Sequence, residues 1–488
     1  MMALAELIAP FEHRQAGSSV RHSLGDLMVS GISDDSRTVK AGDVFIAVSG
    51  AAADGHRFAE AAVRRGAVAV LAEHDLETSV PVPVVLVSGL APQRSTLASR
   101  LLGKPSARLE CVGVTGTNGK TSIACFIADM LATLGEKAGY LGTIGWGVPG
   151  SLEGAALTTE SAITVQKRLA SLVDRGLGWA IMEVSSHALD QSRVDGVEFH
   201  YAVFSNLSRD HLDYHRDYES YGAAKARLFS WRNLRAAVIN VDDAFGRGLA
   251  ATIQPPVTLI SYGAAGADLS WSALRCSATG ISGRWHTPWG EGDFAVPLFG
   301  EFSIANLSAA LAVLCHAGFA FDDVVRAAQQ VKCVPGRMEF FQTRPGVVVD
   351  FAHTPDALLK MLQALRPHVD GRLICVCGCG GDRDPGKRPI MGRIASEHAD
   401  VVWFTSDNPR SEDPQSIIDA MVAGASGPAQ INQCADRRSA IAQAVGSAAP
   451  DDLVVIAGKG HETYQEIAGQ RLPFSDRALA RELSRGSD

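Results

Sequence analysis

The 488-residue chain is too long for one hydrophobic core, and ordinary domain sizes lead to an expectation of three domains. Apolar residues make up 46% and charged residues 20%, which argues against disorder or a fibrous repeat, while the formal net charge of −8 disfavours a general nucleic-acid binder. The nine cysteines include no C-x-x-C pair, Met1 to His13 lacks a signal-peptide layout, and no apolar run approaches the roughly 18 residues of a membrane span, so we expect a cytoplasmic protein with reduced thiols and no membrane insertion.

Short apolar runs alternate with longer helical patterns, as an α/β fold with largely parallel sheets requires. The expected strands are Asp43 to Val48, Cys111 to Val114, Trp179 to Met182, Ala236 to Val241, Val347 to Val349, Leu373 to Val376 and Leu453 to Ala457, with Gly, Asn, Asp or Ser in the loops that follow. Gly103-Lys104-Pro105-Ser106 and Pro335-Gly336 mark boundaries, giving domains 1–107, 108–335 and 336–488. Residues 261–300 read as a β-rich edge of the middle domain.

Between the strand at Cys111 and the helical pattern Ile123 to Leu134 lies Gly113-Val114-Thr115-Gly116-Thr117-Asn118-Gly119-Lys120-Thr121-Ser122. This is phosphate-loop chemistry: glycines let successive N–H groups face phosphate oxygens, Lys120 neutralises charge, and the Thr121 hydroxyl suits magnesium. It is a variant, because the strict spacing puts Gly where Val114 stands. Gly458-Lys459-Gly460-His461 imitates the motif without a following Ser or Thr and receives no triphosphate role.

Farther on, Glu183 ends a strand and is an oxygen ligand suited to magnesium, whereas His211 is less usual for so hard a cation. Cys375, Cys377 and Cys379 alternate on an expected strand and read as a small apolar stripe. Arg410, after Pro409, offers a planar fork for a carboxylate.

Thr115 to Thr121, then Glu183 to His187, then Asn206 to His215, then Ala223-Ala224-Lys225 together resemble the Mur ligase family over nearly the whole chain. The resemblance implies three α/β domains: an N-terminal domain for a UDP-linked substrate, a central P-loop ATPase-type parallel sheet, and a Rossmann-like C-terminal domain for an amino acid. It implies an ADP-forming ligase of peptidoglycan precursor synthesis that uses ATP and Mg2+; beside it we expect a monomer with no nucleic-acid partner and no membrane insertion. ATP would be held by Gly116, Thr117, Asn118, Gly119, Lys120, Thr121, Ser122, Asn306, Arg337 and Asp350, although Ser303 stands where the family usually has Asn. Magnesium would be held by Thr121, Glu183, His211 and a carbamylated Lys225, with Lys120, Glu183, His211 and Lys225 serving catalysis.

Asp407, Asn408, Pro409 and Arg410, with Arg383, Gly458 and Glu462, resemble the site of those members that add meso-diaminopimelate, Glu462 suiting an ammonium group. Ser36 matches a uridine-side position, and Thr158, Thr159, Ser185, Gln191 and Arg193 match positions holding sugar, diphosphate and dipeptide. Ala51 to Ala53 lack the polar side chains of relatives, so only backbone contact carries over there, and Glu160 stands where many relatives have Pro. Two alternatives stay open: a lysine-adding ligase, with folylpolyglutamate synthetase more distant, or a P-loop switch without ligase chemistry.

Overall fold

The computed structural model describes residues 1–16, 23–50, 53–211, 214–341 and 345–485. They fall into two compact units, Met1–Tyr262 with Ala312–Ala317, and Gly263–Leu311 with Gly318–Asp488.

The first unit contains a five-stranded sheet in the order His13–Gln15, Val84–Val87, Ala69–Ala72, Asp43–Ala47, Gly31–Ser33, parallel except for the first pair. Val44 and Ile46 pack into one cluster, Phe45 and Ala47 into the other, so alternate side chains bury both faces. That burial explains why the sequence shows an unbroken apolar run here.

An eight-stranded sheet follows. Its order is Ser151–Glu153, Gly145–Val148, Ala138–Gly142, Trp179–Glu183, Glu110–Thr115, Tyr201–Phe204, Ala236–Asn240, Thr258–Tyr262, and the last six are parallel. Glu110–Thr115 is central, so the loops after Thr115, Glu183 and Phe204 leave the sheet side by side, as open parallel sheets place a ligand crevice.

In the second unit, Ser270–Ser277, Gly280–Thr287 and Gly290–Val296 form an antiparallel sheet, matching the β-rich character expected of 261–300. Trp285 is fully buried and donates to Ser308 Oγ at 2.9 Å on helix Glu301–His316. The unit's main sheet runs Glu339–Phe341, Gly346–Asp350, Leu453–Ala457, Leu373–Cys377, Val401–Phe404, Gln430–Gln433, parallel after the first pair. Strands distant in sequence thereby become neighbours, and the loops after Ala457, Cys377 and Phe404 emerge together. Cys375, Cys377 and Cys379 share one apolar cluster with Met391, which is the stripe expected. No helix among the described residues is long and apolar enough to cross a membrane.

Candidate functional site

The phosphate loop bridges strand Glu110–Thr115 and helix Lys120–Thr133. Gly116 adopts φ +144°, and a Cβ there would lie 1.9 Å from Ser205 Oγ, so only glycine fits. Val114, which stands where the strict spacing has Gly, is wholly buried in the strand. Asn206 brackets the loop, accepting from Asn118 N at 3.0 Å and donating to Asn118 O at 3.1 Å. Lys120 Nζ donates to Gly116 O at 2.9 Å and Thr117 O at 2.8 Å, folded over the loop it would serve.

Glu183 has no exposed surface, and its carboxylate accepts from Thr121 Oγ1 at 3.0 Å, Thr143 N at 3.0 Å, Thr143 Oγ1 at 3.1 Å and the Tyr140 hydroxyl. Burial first, then the Glu183 charge, push the Tyr140 phenol well above its ordinary range, so it remains a donor. Thr121 and Glu183 together supply hard oxygen atoms beside a phosphate cradle, and this donor set fits magnesium. Tyr140 and Thr143 were not singled out from sequence, because nothing in the linear order places strand Ala138–Gly142 against Trp179–Glu183.

Lys225 lies on helix Tyr218–Ala226, only 1% exposed, with Nζ donating to Gly116 O at 2.8 Å and 4.5 Å from the Tyr221 ring centre. Burial first and the Lys120 charge second hold its pKa well below the lysine range, opposed by Asp210. His211 has φ +54° and stands edge-on to the same Tyr221 ring at 6.0 Å and to His187 at 5.1 Å. Leu212 and Asp213, inside that motif, lie outside the described residues.

A continuous polar network leads away from Glu183. Thr159 Oγ1 donates to Glu183 O at 2.8 Å and accepts from Ser185 N at 3.0 Å, while Thr158 and Thr143 hydroxyls meet at 3.0 Å. Arg193 donates to Thr159 O at 2.8 Å and forks onto Gln191 Oε1 at 2.9 and 2.6 Å. The structure thus joins Thr158, Thr159, Ser185, Gln191 and Arg193 with Glu183. Glu160, standing where proline is usual, fastens its loop by accepting from Arg168 at 3.0 Å and Ala156 N at 2.8 Å. Ser36 belongs instead to the turn after Gly31–Ser33, half-buried beside the Asp35–Arg37 pair. Ala51 and Ala52 lie outside the described residues.

In the second unit the Arg337 guanidinium stacks 4.6 Å over Phe351, and the Asp350 carboxylate accepts from Met338 N at 2.7 Å and Ala352 N at 2.8 Å. Burial raises the Asp350 pKa against the pull of Arg337. Asn306 is buried on helix Glu301–His316, one turn after Ser303, whose hydroxyl donates to Phe299 O at 2.7 Å.

Arg383 and Arg410 flank Gly380: a Cβ there would lie 3.9 Å from Arg383 Cγ and 3.0 Å from Arg410 Nη1. Arg410 has φ +53° and donates to Gly381 O at 2.6 Å. Asn408 donates to Glu462 Oε2 at 3.0 Å and accepts from Lys459 Nζ at 3.0 Å and Glu466 N at 2.9 Å. Gly458 has φ +119°, and a Cβ would fall 2.4 Å from Asp407 Oδ2. Beneath these loops Arg437 forms a fully buried pair with Asp476, at 2.8 and 2.7 Å, and donates to Ser406 O at 3.2 Å and Ala457 O at 2.9 Å. Arg437 and Asp476 escaped the sequence reading, and Lys459 received no role in it beyond a failed phosphate-loop match, since the Arg437–Asp476 pair spans 39 residues and the Lys459–Asn408 bond 51.

Family models for the "Mur ligase family, catalytic domain", the "Mur ligase middle domain" and the "Mur ligase, glutamate ligase domain" match residues 28–95, 114–314 and 336–460. The chain belongs to the Mur ligase family. This Mur ligase is 49% identical to the UDP-N-acetylmuramoyl-L-alanyl-D-glutamate–2,6-diaminopimelate ligase of Ectopseudomonas mendocina, over 92% of its own length and 93% of the relative's. A solved structure of an enzyme of the same name is 36% identical, with a TM-score of 0.74 and 99% of each chain covered. The MurF ligase of Thermotoga maritima in complex with ADP shares the fold, at a TM-score of 0.62 and 20% identity over 88% of this chain and 94% of that one. As a Mur ligase the chain is an enzyme that uses a nucleotide, and the loop from Gly116 to Ser122 is where its backbone is shaped for one.

Proposed function

We propose that the protein joins meso-diaminopimelate to the D-glutamate of UDP-N-acetylmuramoyl-L-alanyl-D-glutamate, consuming ATP with magnesium, as a cytoplasmic monomer whose domains are 1–107, 108–335 and 336–488. The observation that carries the choice of amino acid is the loop cluster of Asp407 to Arg410 with Arg383 and Glu462. It presents two guanidiniums and a carboxylate, the complement of an amino acid with a second zwitterionic end. A lysine-adding site needs no arginine for a distal carboxylate, and a P-loop switch needs no such cluster at all.

The carboxylate of the substrate glutamate attacks the γ-phosphorus of ATP; ADP leaves and an acyl phosphate forms. The amine of diaminopimelate then attacks the acyl carbon, phosphate departs with the bonding electrons, and the amine loses a proton. Lys120, released from Gly116 O and Thr117 O, would face the transferring phosphoryl group. Thr121 and Glu183 would hold magnesium, which when bound would neutralise charge on the phosphates. Lys225 stands ready for carbamylation because a lysine whose pKa is lowered by burial offers the neutral amine that CO2 requires. The carbamate and His211 would hold a second ion. Thr158, Thr159, Ser185, Gln191 and Arg193 would bind the muramoyl dipeptide, Ser36 the uridine side, and Asn306, Arg337 and Asp350 the nucleoside of ATP.

The test is phosphate release with ATP, magnesium and the UDP-linked dipeptide, in the presence of meso-diaminopimelate, L-lysine or no amino acid, the product identified by mass. A tripeptide formed only with meso-diaminopimelate is the expected result. Preference for lysine would sink the role given to Arg410, and amino-acid-independent phosphate release would sink the ligase reading.

A further inference from the structure

We propose that Lys459 is a positioning residue for the incoming amino acid: its buried ammonium ties Asn408 to Glu462 and thereby orients the Glu462 carboxylate that receives the substrate ammonium. The proposal rests on the reading of Asp407 to Arg410 and Glu462 as the amino-acid site.

The turn Gly458-Lys459-Gly460-His461 has the sequence look of a phosphate loop but not its geometry. A phosphate-binding lysine stands at a helix N-terminus with its amine directed at the ligand. Here the chain continues into the hairpin Tyr464–Ile467 and Gln470–Pro473, and the Lys459 side chain has no exposed surface. Its Nζ reaches Asn408 Oδ1 at 3.0 Å and Glu462 Oε2 at 2.9 Å and lies 5.6 Å from the Tyr464 ring centre. A lysine ammonium has three protons to give, and these neighbours surround it from the protein side.

Asn408 is consumed in the same way. Its carbonyl oxygen takes two bonds, from Lys459 Nζ and Glu466 N, and its amide nitrogen gives one to Glu462 Oε2. Three of the four bonds a carboxamide can make are therefore spent inside the protein. Glu462 is the outward member of the set, with 22% of its side chain exposed against none for Lys459. Both hydrogen bonds to it end on Oε2. One carboxylate oxygen is thus held by a cation and an amide from two different loops, which restricts where the carboxylate can swing. Gly458 directs the lysine inward, since its positive φ and its approach to Asp407 admit no side chain.

The experiment uses the full-length enzyme and compares wild type, Lys459→Met, Glu462→Gln and the double variant. KM for each of the three substrates and kcat are measured by phosphate release, with melting temperature alongside. Lys459→Met is expected to raise KM for meso-diaminopimelate by about tenfold or more, while KM for ATP and the UDP-linked dipeptide stays within about twofold. Because Lys459 acts only through Glu462, the double variant is expected to match Glu462→Gln alone within about twofold. Loss of kcat with unchanged KM values, or effects that multiply in the double variant, would overturn the proposal. If Lys459→Met fails to fold, the comparison of the double variant with Glu462→Gln still decides, because the pair leaves no uncompensated charge. A wild type that makes no tripeptide from meso-diaminopimelate refutes the underlying site reading instead.

Discussion

Lys225 and Lys459 are both sealed from solvent, at 1% and 0% exposure, yet their surroundings are opposite. Lys225 meets a backbone carbonyl, an aromatic face and the like charge of Lys120, with burial driving its pKa down. Lys459 is paired with a carboxylate and an amide oxygen, both supplied by loops after strand ends. The same residue type is therefore held with a lowered pKa in one unit and paired with a carboxylate in the other. What decides is whether an anion accompanies it into the interior, since an unpaired buried charge costs several kcal/mol and neutralises instead.

The sharpest break of this comparison is to remove the Lys225 amine. Lys225→Met should lower turnover by about a hundredfold to a thousandfold, the scale of losing one stabiliser of transferring charge. Its melting temperature should hold or rise, because an apolar chain replaces a desolvated amine beside a like charge. Turnover within twofold of wild type would show that Lys225 is not part of the reaction.

Arg437 extends the comparison to a cation paired inside the second unit. Asp476→Ala leaves its guanidinium buried without an anion and should cost about 3 to 5 kcal/mol, seen as a lower urea midpoint. Because Arg437 also holds Ser406 O and Ala457 O, KM for meso-diaminopimelate should rise more than KM for ATP. A variant as stable as wild type would mean that water or another anion replaces Asp476.

A smaller effect is expected at Glu183, whose carboxylate accepts four hydrogen bonds from the neutral donors Thr121, Tyr140 and Thr143. Tyr140→Phe removes one of the four, worth about 1 kcal/mol, and should raise the magnesium concentration at half-maximal velocity by about threefold to tenfold. The reading fails if magnesium dependence is unchanged while melting temperature falls.

The parts visible in the sequence share one property: they are local. The phosphate loop declares itself because Gly116, Gly119 and Lys120 lie within five residues and their backbone does the work. Strands such as Leu453–Ala457 are visible because both faces are buried, so their apolar run is unbroken. Asp407 to Arg410 was legible as a motif. Glu462 was legible with it. What ties the cluster together was not: Lys459 and Arg437 reach it across 51 and 31 residues or through backbone carbonyls. Tyr140 was hidden for the same reason, being an ordinary core aromatic until sheet order sets it beside Glu183. Pairwise ionic geometry leaves no periodic trace in sequence.

The mildest case is Asp452 with Arg372, a pair whose cation is 46% exposed although the carboxylate is nearly buried at 3%. Burial alone would raise the Asp452 pKa, but hydrogen bonds from the Arg372 side chain and from the Arg372 and Ala449 N–H groups outweigh it and hold it below its ordinary 3.8. A carboxylate lowered on folding contributes stability that is present above the unfolded pKa and lost as pH falls through the folded one. Asp452→Asn should therefore cost about 1 to 2 kcal/mol at neutral pH, discounted for the exposed arginine, and the gap from wild type should close as pH falls below about 4. Urea midpoints at pH 7, 5 and about 3.5 would trace it. Asp476→Ala should keep its full deficit at the first two pH values, because its lost partner leaves a guanidinium that does not titrate there. A pH-independent gap at Asp452 would mean that the hydrogen bonds to the backbone, and not the charge, hold that corner of the sheet.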